Sequence, residues 1–186
     1  MPAFPREEIE ETMRRWVAAN DKAGETGDWA PMGDFYTEDA MYTWNMGHKY
    51  EFCARGIQEI RDWVFGTEMD GLGKWTYPYV RVLIDADQGE AVGFWRQIAP
   101  LERPDGSPYE IAGTGGSWFR YGGDYKWAWQ RDFFDHGNAG VIFGELMQNG
   151  QLPDAMQERM KAGSRMPGWT KRADFDWYAT LDSSEK

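Results

Sequence analysis

Residues 74–135 constrain the fold of this chain more than any other stretch. They read as four extended segments: "KWTYPYVRVLIDAD", "EAVGFWRQIAP", "YEIAGTGGSWFRY" and "YKWAWQRDFFD". Between them stand "DADQGE", "LERPDGSP" and "GGD", whose Gly, Pro and Asp are turn residues. Strands joined by such short connections pair antiparallel. A chain with this centre has to build a sheet and cover at least one of its faces.

The flanks supply the cover. "REEIEETMRRWVAANDKAG" carries Ile9, Met13, Trp16, Val17 and Asn20 at helical spacing, with glutamates in its first turn and Gly24 as its expected stop. "DWAPMGDFY" reads as a short second helix capped by Asp28, with Pro31 in its first turn. "DAMYTWNM" is strand-like and "HKYEFCARG" reads as a loop. "GIQEIRDWVFGTEM" is a helix with Ile57, Ile60, Trp63 and Val64 on one stripe. After His136, "NAGVIFGELMQNG" and "LPDAMQERMKAG" read as two short helices, and "ADFDWYATL" as a further turn. The plan is α+β: a curved antiparallel sheet wrapped around helices over residues 1–137, followed by a helical extension, 138–186.

In the last strand, alternation sends Trp127, Trp129, Arg131 and Phe133 one way and Gln130, Asp132 and Phe134 the other. Both faces are partly apolar, so both are covered. Asp132 then stands among rings.

Composition excludes several partners. The net charge of −11 is wrong for nucleic acid or anionic membrane surfaces. No apolar run approaches the ~18 residues of a membrane span. "MPAFPREEIE" lacks the pattern of a signal peptide, and Cys53 is alone, so a cytoplasmic location is expected. Aromatic residues make up 16%, including 11 Trp. That load suits a Trp-rich core, an oligomer interface, or a pocket for flat apolar ligands. The "GTGGS" stretch has neither the Lys nor the following helix of a phosphate loop. Its glycines are expected to bend the sheet or admit a flat ligand. Two widely separated histidines, His48 and His136, make a poor metal site.

"GDWAPMGDFYTEDAMYTW", "RGIQEIRDWV" and "DYKWAWQRDFFD" together resemble the NTF2-like superfamily, in particular its SnoaL-like branch, over roughly residues 6–136. The resemblance implies a cone: the concave sheet face and the helices enclose a deep pocket, and the convex face packs against a partner chain. A homo-oligomer through that convex face is the expectation, with Phe94, Ile98 and Trp118 joining Trp127, Trp129 and Phe133.

The fold hosts several chemistries, so the site is read position by position. Where ketosteroid isomerases carry their catalytic groups, this chain has Trp44, Trp16 and Ser117, which cannot perform that chemistry. "RDFFD" is similar to the last strand of limonene-type epoxide hydrolases. Asp132 matches their second catalytic acid and Tyr42 their water-holding Tyr. The other expected positions fall on Trp44, Trp95 and Gln97, which leaves one acid of the pair. SnoaL-type cyclases also place an Asp at the position of Asp132.

The candidate catalytic residues are therefore Asp132, Tyr42 and, from the loop expected to roof the pocket, His48. Trp44, Trp95, Gln97, Gln130, Phe134, Tyr36, Ser117 and Arg55 are candidate substrate contacts. The competing reading of Asp132 is a salt bridge to Arg96 or Arg131. No metal and no cofactor is called for. The leading reading is a cofactor-free lyase acting on an apolar aromatic molecule. By family analogy the specific case is a lignin-derived diarylpropane that loses water and formaldehyde to give a stilbene. Alternatives are an epoxide hydrolase, dehydratase or isomerase on a terpene or steroid-like substrate, or a non-catalytic carrier. Leu146, Met147, Met156 and Met160 face either the pocket or a neighbouring subunit, and the sequence leaves both open.

Overall fold

The structure is a computed structural model describing residues 4–181. Helix α1 (Arg6–Thr26) buries Ile9, Met13, Trp16 and Asn20 along one stripe. It ends at Gly27, whose N–H still reaches the Ala23 carbonyl and whose φ of 79° turns the chain out of the helix. Gly24 lies inside the helix, against Thr76, and not past its end. The second helix is a 3-10 turn, Ala30–Phe35, with Asp28 accepting from the Ala30 N–H at 3.1 Å.

Strand β1 (Tyr36–Met46) turns at Gly47 into β2 (Tyr50–Arg55), which pairs antiparallel with it from Met41↔Arg55 to Met46↔Tyr50. The loop expected at 48–56 is thus mostly strand. Its alternation was masked because a buried position carries a charge, Glu51, which is 0% exposed. Next comes α2 (Gly56–Glu59), which widens into a π-helix, Ile60–Glu68, burying Ile60 and Val64.

The expected hairpins follow as β3 (Tyr79–Asp85), β4 (Glu90–Glu102), β5 (Pro108–Gly123) and β6 (Lys126–Phe133). With β1, β2 and β7 (Trp169–Lys171) they form a curved, open seven-stranded sheet of order β3-β4-β5-β6-β1-β2-β7. All neighbours are antiparallel except β1 and β6, which run parallel. No helix among the described residues is long and apolar enough to cross a membrane.

A bulge in β6 changes one face assignment. Arg120 pairs with Trp129 but Tyr121 pairs with Trp127, so Ala128 is an extra residue. Trp127 therefore turns inward, fully buried against Phe119 and Tyr121, instead of lying on the outer face. Trp129, Arg131 and Phe133 keep the outward direction expected of them, in register with the outward positions of β5. The glycines of β4 and β5 make room for the protein's own rings. A Cβ on Gly115 would collide with Trp95, and one on Gly93 with Tyr79.

Two apolar clusters hold the layers together. One joins α1 to the inner sheet face through Trp16, Tyr36, Phe119 and Trp127. The other joins Leu72, Trp75 and Tyr109 to Ile142, Leu146 and Met156 of α3 (His136–Gln148) and α4 (Asp154–Ala162). Burying each large side chain contributes about 1.5–3 kcal/mol. Asp135 caps α3 by accepting from the Asn138 N–H at 2.9 Å.

The segment after β7 crosses the outer face of the sheet. Phe175 is buried beside Arg55, 5.5 Å from guanidinium carbon to ring centre. The Trp177 ring lies 4.2 Å from Arg131, and Trp129 Nε1 donates to Thr180 Oγ1 at 3.0 Å. Part of the face expected to meet another subunit is therefore covered by the chain itself.

Candidate active site

Strand register assembles the site. Asp132 of β6 stands opposite Ser117 of β5 on one side and Trp44 of β1 on the other. Gln130 stands opposite Tyr42 and Phe119. Paired residues point to one face, so Tyr42, Trp44, Ser117, Gln130 and Asp132 share the concave side.

Three neutral donors converge on the Asp132 carboxylate. Ser117 Oγ donates to Oδ1 at 2.6 Å and Gln130 Nε2 to the same oxygen at 2.7 Å. Tyr42 donates its phenolic proton to Oδ2 at 2.7 Å. A second layer fixes these donors. Trp95 Nε1 donates to Ser117 Oγ at 2.9 Å, so the serine proton is free to point at Asp132. Tyr36 donates to Gln130 Oε1 at 2.5 Å, which sets the direction of the amide. Oδ1 has two donors and Oδ2 one, leaving Oδ2 the larger spare acceptor capacity.

Among the described residues, no cation offsets this charge at contact distance. Arg96 pairs with Glu110 at 2.5 Å, and Arg131 points to the other face and pairs with Glu51 at 3.0 Å. The salt-bridge reading of Asp132 is thereby replaced by a carboxylate held only by neutral groups. Burial pushes its carboxyl above the ordinary aspartate value, while Ser117, Tyr42, Gln130 and the more distant Arg131 pull it down. Burial, with the Asp132 charge beside it, raises the Tyr42 phenol well above its usual value, so Tyr42 remains a donor.

These groups open on a cavity of about 460 Å³. Trp44, Trp95, Tyr77, Tyr79, Phe65 and Phe134 give it aromatic walls. Gln97 and His136 add polar points. Gln97 Nε2 approaches the Tyr77 hydroxyl at 3.5 Å. His136 Nε2 meets Asn45 Oδ1 at 3.2 Å, and burial pushes its imidazole below the usual value. From the tail, Phe143, Met156, Arg159, Met160 and Trp169 close the cavity, with Arg159 beside Glu68. The tail therefore caps the pocket of its own chain. A cavity of this volume, mostly apolar with convergent polar groups, has the form of a small-molecule site.

A family model described as a SnoaL-like domain matches residues 5–141. The chain belongs to the SnoaL-like family. No curated protein matches it. Among solved structures, it is similar to an NTF2-like protein from Anabaena variabilis at 18% identity and a TM-score of 0.55, covering 73% of this chain and 95% of that one. A protein described as a SnoaL-like polyketide cyclase from Jannaschia gives 13% identity and a TM-score of 0.54, with 73% and 91% covered. SalBIII, described as an epoxide hydrolase/cyclase-like enzyme in pyran ring formation in salinomycin, gives 15%, 0.54, and 74% and 97% covered. These likenesses establish a shared NTF2-like fold.

On this SnoaL-like frame, Asp132, Tyr42, Trp44, Trp95, Gln97, Ser117, Gln130 and Phe134 line one cavity. Tyr36 stands behind it, acting through Gln130. His48 does not reach it: the residue is exposed in the β1–β2 turn, because strand pairing continues to Met46↔Tyr50 and carries the turn away from the pocket. Arg55 is exposed at the end of β2, packed over Phe175 on the outer side. His136 was not among the candidates read from the sequence, and neither were Tyr79, Glu68 and Arg159. The last two are 91 residues apart and no spacing joins them. Among the described residues, no group of three or more His, Cys, Asp and Glu stands close enough to hold a metal.

Proposed function

We propose that this SnoaL-like protein is a cofactor-independent acid–base enzyme that acts on an apolar aromatic small molecule, with Asp132 as the base and Tyr42 as its partner. One observation carries this reading. A half-buried carboxylate that no cation contacts among the described residues, its proton affinity raised by desolvation, faces an aromatic cavity. Such a group takes and returns protons near neutral pH more readily than a solvated aspartate.

The specific substrate we propose is a diarylpropane diol of the lignin-derived type. The cavity falls within the ~300–1,000 Å³ of sites that hold drug-sized ligands. Asp132 takes the proton of the terminal hydroxyl, and that C–O becomes the C=O of formaldehyde. The adjacent C–C bond breaks, and its electron pair forms the stilbene double bond. The benzylic hydroxyl leaves as water with the proton that Asp132 received, relayed through Tyr42. The products are one stilbene, one formaldehyde and one water, with no redox change that needs a cofactor.

A second reading follows from the same pair. Tyr42 and Asp132 can protonate and deprotonate the two oxygens of an epoxide opening, and the epoxide hydrolase/cyclase-like SalBIII has the same fold. The products separate the two readings. Wild type and Asp132→Asn are incubated with a guaiacyl diarylpropane diol, a terpene epoxide and a Δ5-ketosteroid. Stilbene absorbance rising with stoichiometric formaldehyde in the wild type alone is the expected result. A diol or cyclic ether from the epoxide supports the second reading. Ligand binding without turnover of any substrate, unchanged in Asp132→Asn, marks a carrier and contradicts both.

A further inference from the structure

The cavity has a second charged station, on its helical wall. Glu68 ends the π-helix and Arg159 comes from α4. Both line the cavity, with side chains only 13% and 15% exposed. Arg159 donates to the backbone carbonyl of Glu68, which anchors one end of its guanidinium. Its other end lies 3.7 Å from the Glu68 carboxylate. A charge-assisted hydrogen bond between such groups is about 2.7–2.9 Å long. The pair is therefore close enough to compensate charge but too far apart to satisfy each other's hydrogen bonds. Burial also pushes the Glu68 carboxyl upward, with Arg159 and the Trp169 indole opposing it. Burial raises the Tyr77 phenol, and it also feels both stations: the Arg159 charge lowers it and the Asp132 charge raises it.

We infer that Glu68 and Arg159 form a specificity station that binds a neutral hydroxyl of the ligand, while Asp132 works from the sheet wall. The inference rests on the same cavity being the ligand site, but not on the reaction proposed for it. A hydroxyl can donate to Glu68 and accept from Arg159 at once through a single oxygen. A carboxylate would gain Arg159 but approach Glu68, whose own charge is already disfavoured. An apolar ligand end would strip water from both groups and replace it with nothing. Sites built to hydrogen-bond a hydroxyl reject analogues lacking it far more strongly than apolar pockets reject an extra one. Because Arg159 comes from α4, the helical extension would then help choose the ligand as well as close the cavity.

The test is ligand binding, read by quenching of Trp fluorescence, with bibenzyl, 4-hydroxybibenzyl and 4-carboxybibenzyl as probes. The expected result is that wild type binds the hydroxylated probe at least tenfold tighter than bibenzyl, and the carboxylated probe no tighter than bibenzyl. The hydroxyl gain should fall below threefold in Glu68→Gln and in Arg159→Met, and persist in Asp132→Asn. A merely structural ion pair would change thermal stability but leave the ratio between probes intact. Glu68→Gln keeps the side-chain volume and the backbone carbonyl that Arg159 uses, so it carries the test should Arg159→Met not fold. Equal affinity for bibenzyl and 4-hydroxybibenzyl in wild type, a gain surviving in Glu68→Gln, a gain lost in Asp132→Asn, or no binding of either probe overturns the inference. A gain that behaves as expected in a protein that turns over none of the proposed substrates leaves this station standing and removes only the proposed reaction.

Discussion

Arg131 and Asp132 are neighbours on β6, both charged and both largely shielded from water, yet their surroundings differ in kind. Arg131 points to the outer face, where Glu51 meets it at 3.0 Å, Arg172 approaches Glu51 at 3.5 Å, and the Trp177 ring covers it. Charge there is answered by charge, and the pair holds β2, β6 and the C-terminal segment together. Asp132 points inward to three neutral donors and a cavity. Neutral donors fix the carboxylate in place without cancelling its charge. Burial outweighs the opposing donors and raises its proton affinity. The contrast separates a charge used for assembly from one available for chemistry.

The largest expected effect lies on the inward side. Asp132→Asn should lower turnover by about 10²–10⁴-fold, the usual worth of a positioned general base. The fold should tolerate it: the new Oδ1 can accept from Ser117 and Gln130, and Nδ2 can donate to the Tyr42 oxygen. Stability should move the other way. The folded-state value of Asp132 is raised, so its ionisation costs stability that is absent below the unfolded aspartate value and complete above the folded one. Asp132→Asn should therefore raise the melting temperature at neutral pH, and the gain should fade on acidification. A lower melting temperature at neutral pH breaks the comparison.

On the outer side, Arg131→Met leaves Glu51 buried beside the more distant Arg172. Removing one partner of a buried pair costs about 3–5 kcal/mol. Urea unfolding should show a loss toward the lower end of that range, with turnover per folded molecule changed only a few-fold. If turnover fell as far as in Asp132→Asn, the division between the two faces would be wrong. Tyr42→Phe removes one donor from the carboxylate. Hydrogen bonds to charged groups are worth roughly 1.5–3 kcal/mol, so turnover should fall about tenfold or more. The acidic limb of the pH–rate profile should move upward, because a donor that lowers the Asp132 value is gone. A limb that stays put would remove Tyr42 from contact with the base. The smallest effect belongs to His48→Ala, in the exposed turn. Stability should stay within about 0.5 kcal/mol of wild type, with unchanged turnover, and a large loss would place the turn in the site after all.

The same two faces show what could be read from residues alone. Alternation through Gln130, Asp132 and Phe134 predicted the inward face correctly, because no irregularity falls within those residues. It failed at Trp127, on the far side of the bulge at Ala128, where one extra residue reverses the side. Strand β2 was hidden because Glu51 occupies a buried position with its charge, and the pairing with Arg131 and Arg172 makes that acceptable. Tyr42, Trp44 and Ser117 were legible through the family resemblance, whose matched positions fall on the two strands flanking Asp132. Glu68 and Arg159 were not, because their meeting depends on how α4 folds back over the π-helix. The apolar residues of the tail, among them Met156 and Met160, signalled a covered face but not what it covers.

Asp132 is a half-buried carboxylate that no cation contacts among the described residues. Its titration is directly visible in carbon-13 aspartate-edited infrared difference spectra, wild type minus Asp132→Asn, followed across pH. The account predicts a carboxyl band that converts to carboxylate at a pH above the ordinary aspartate value. Conversion at or below that value would mean that the three donors outweigh burial, and would contradict Asp132 as the acid–base group.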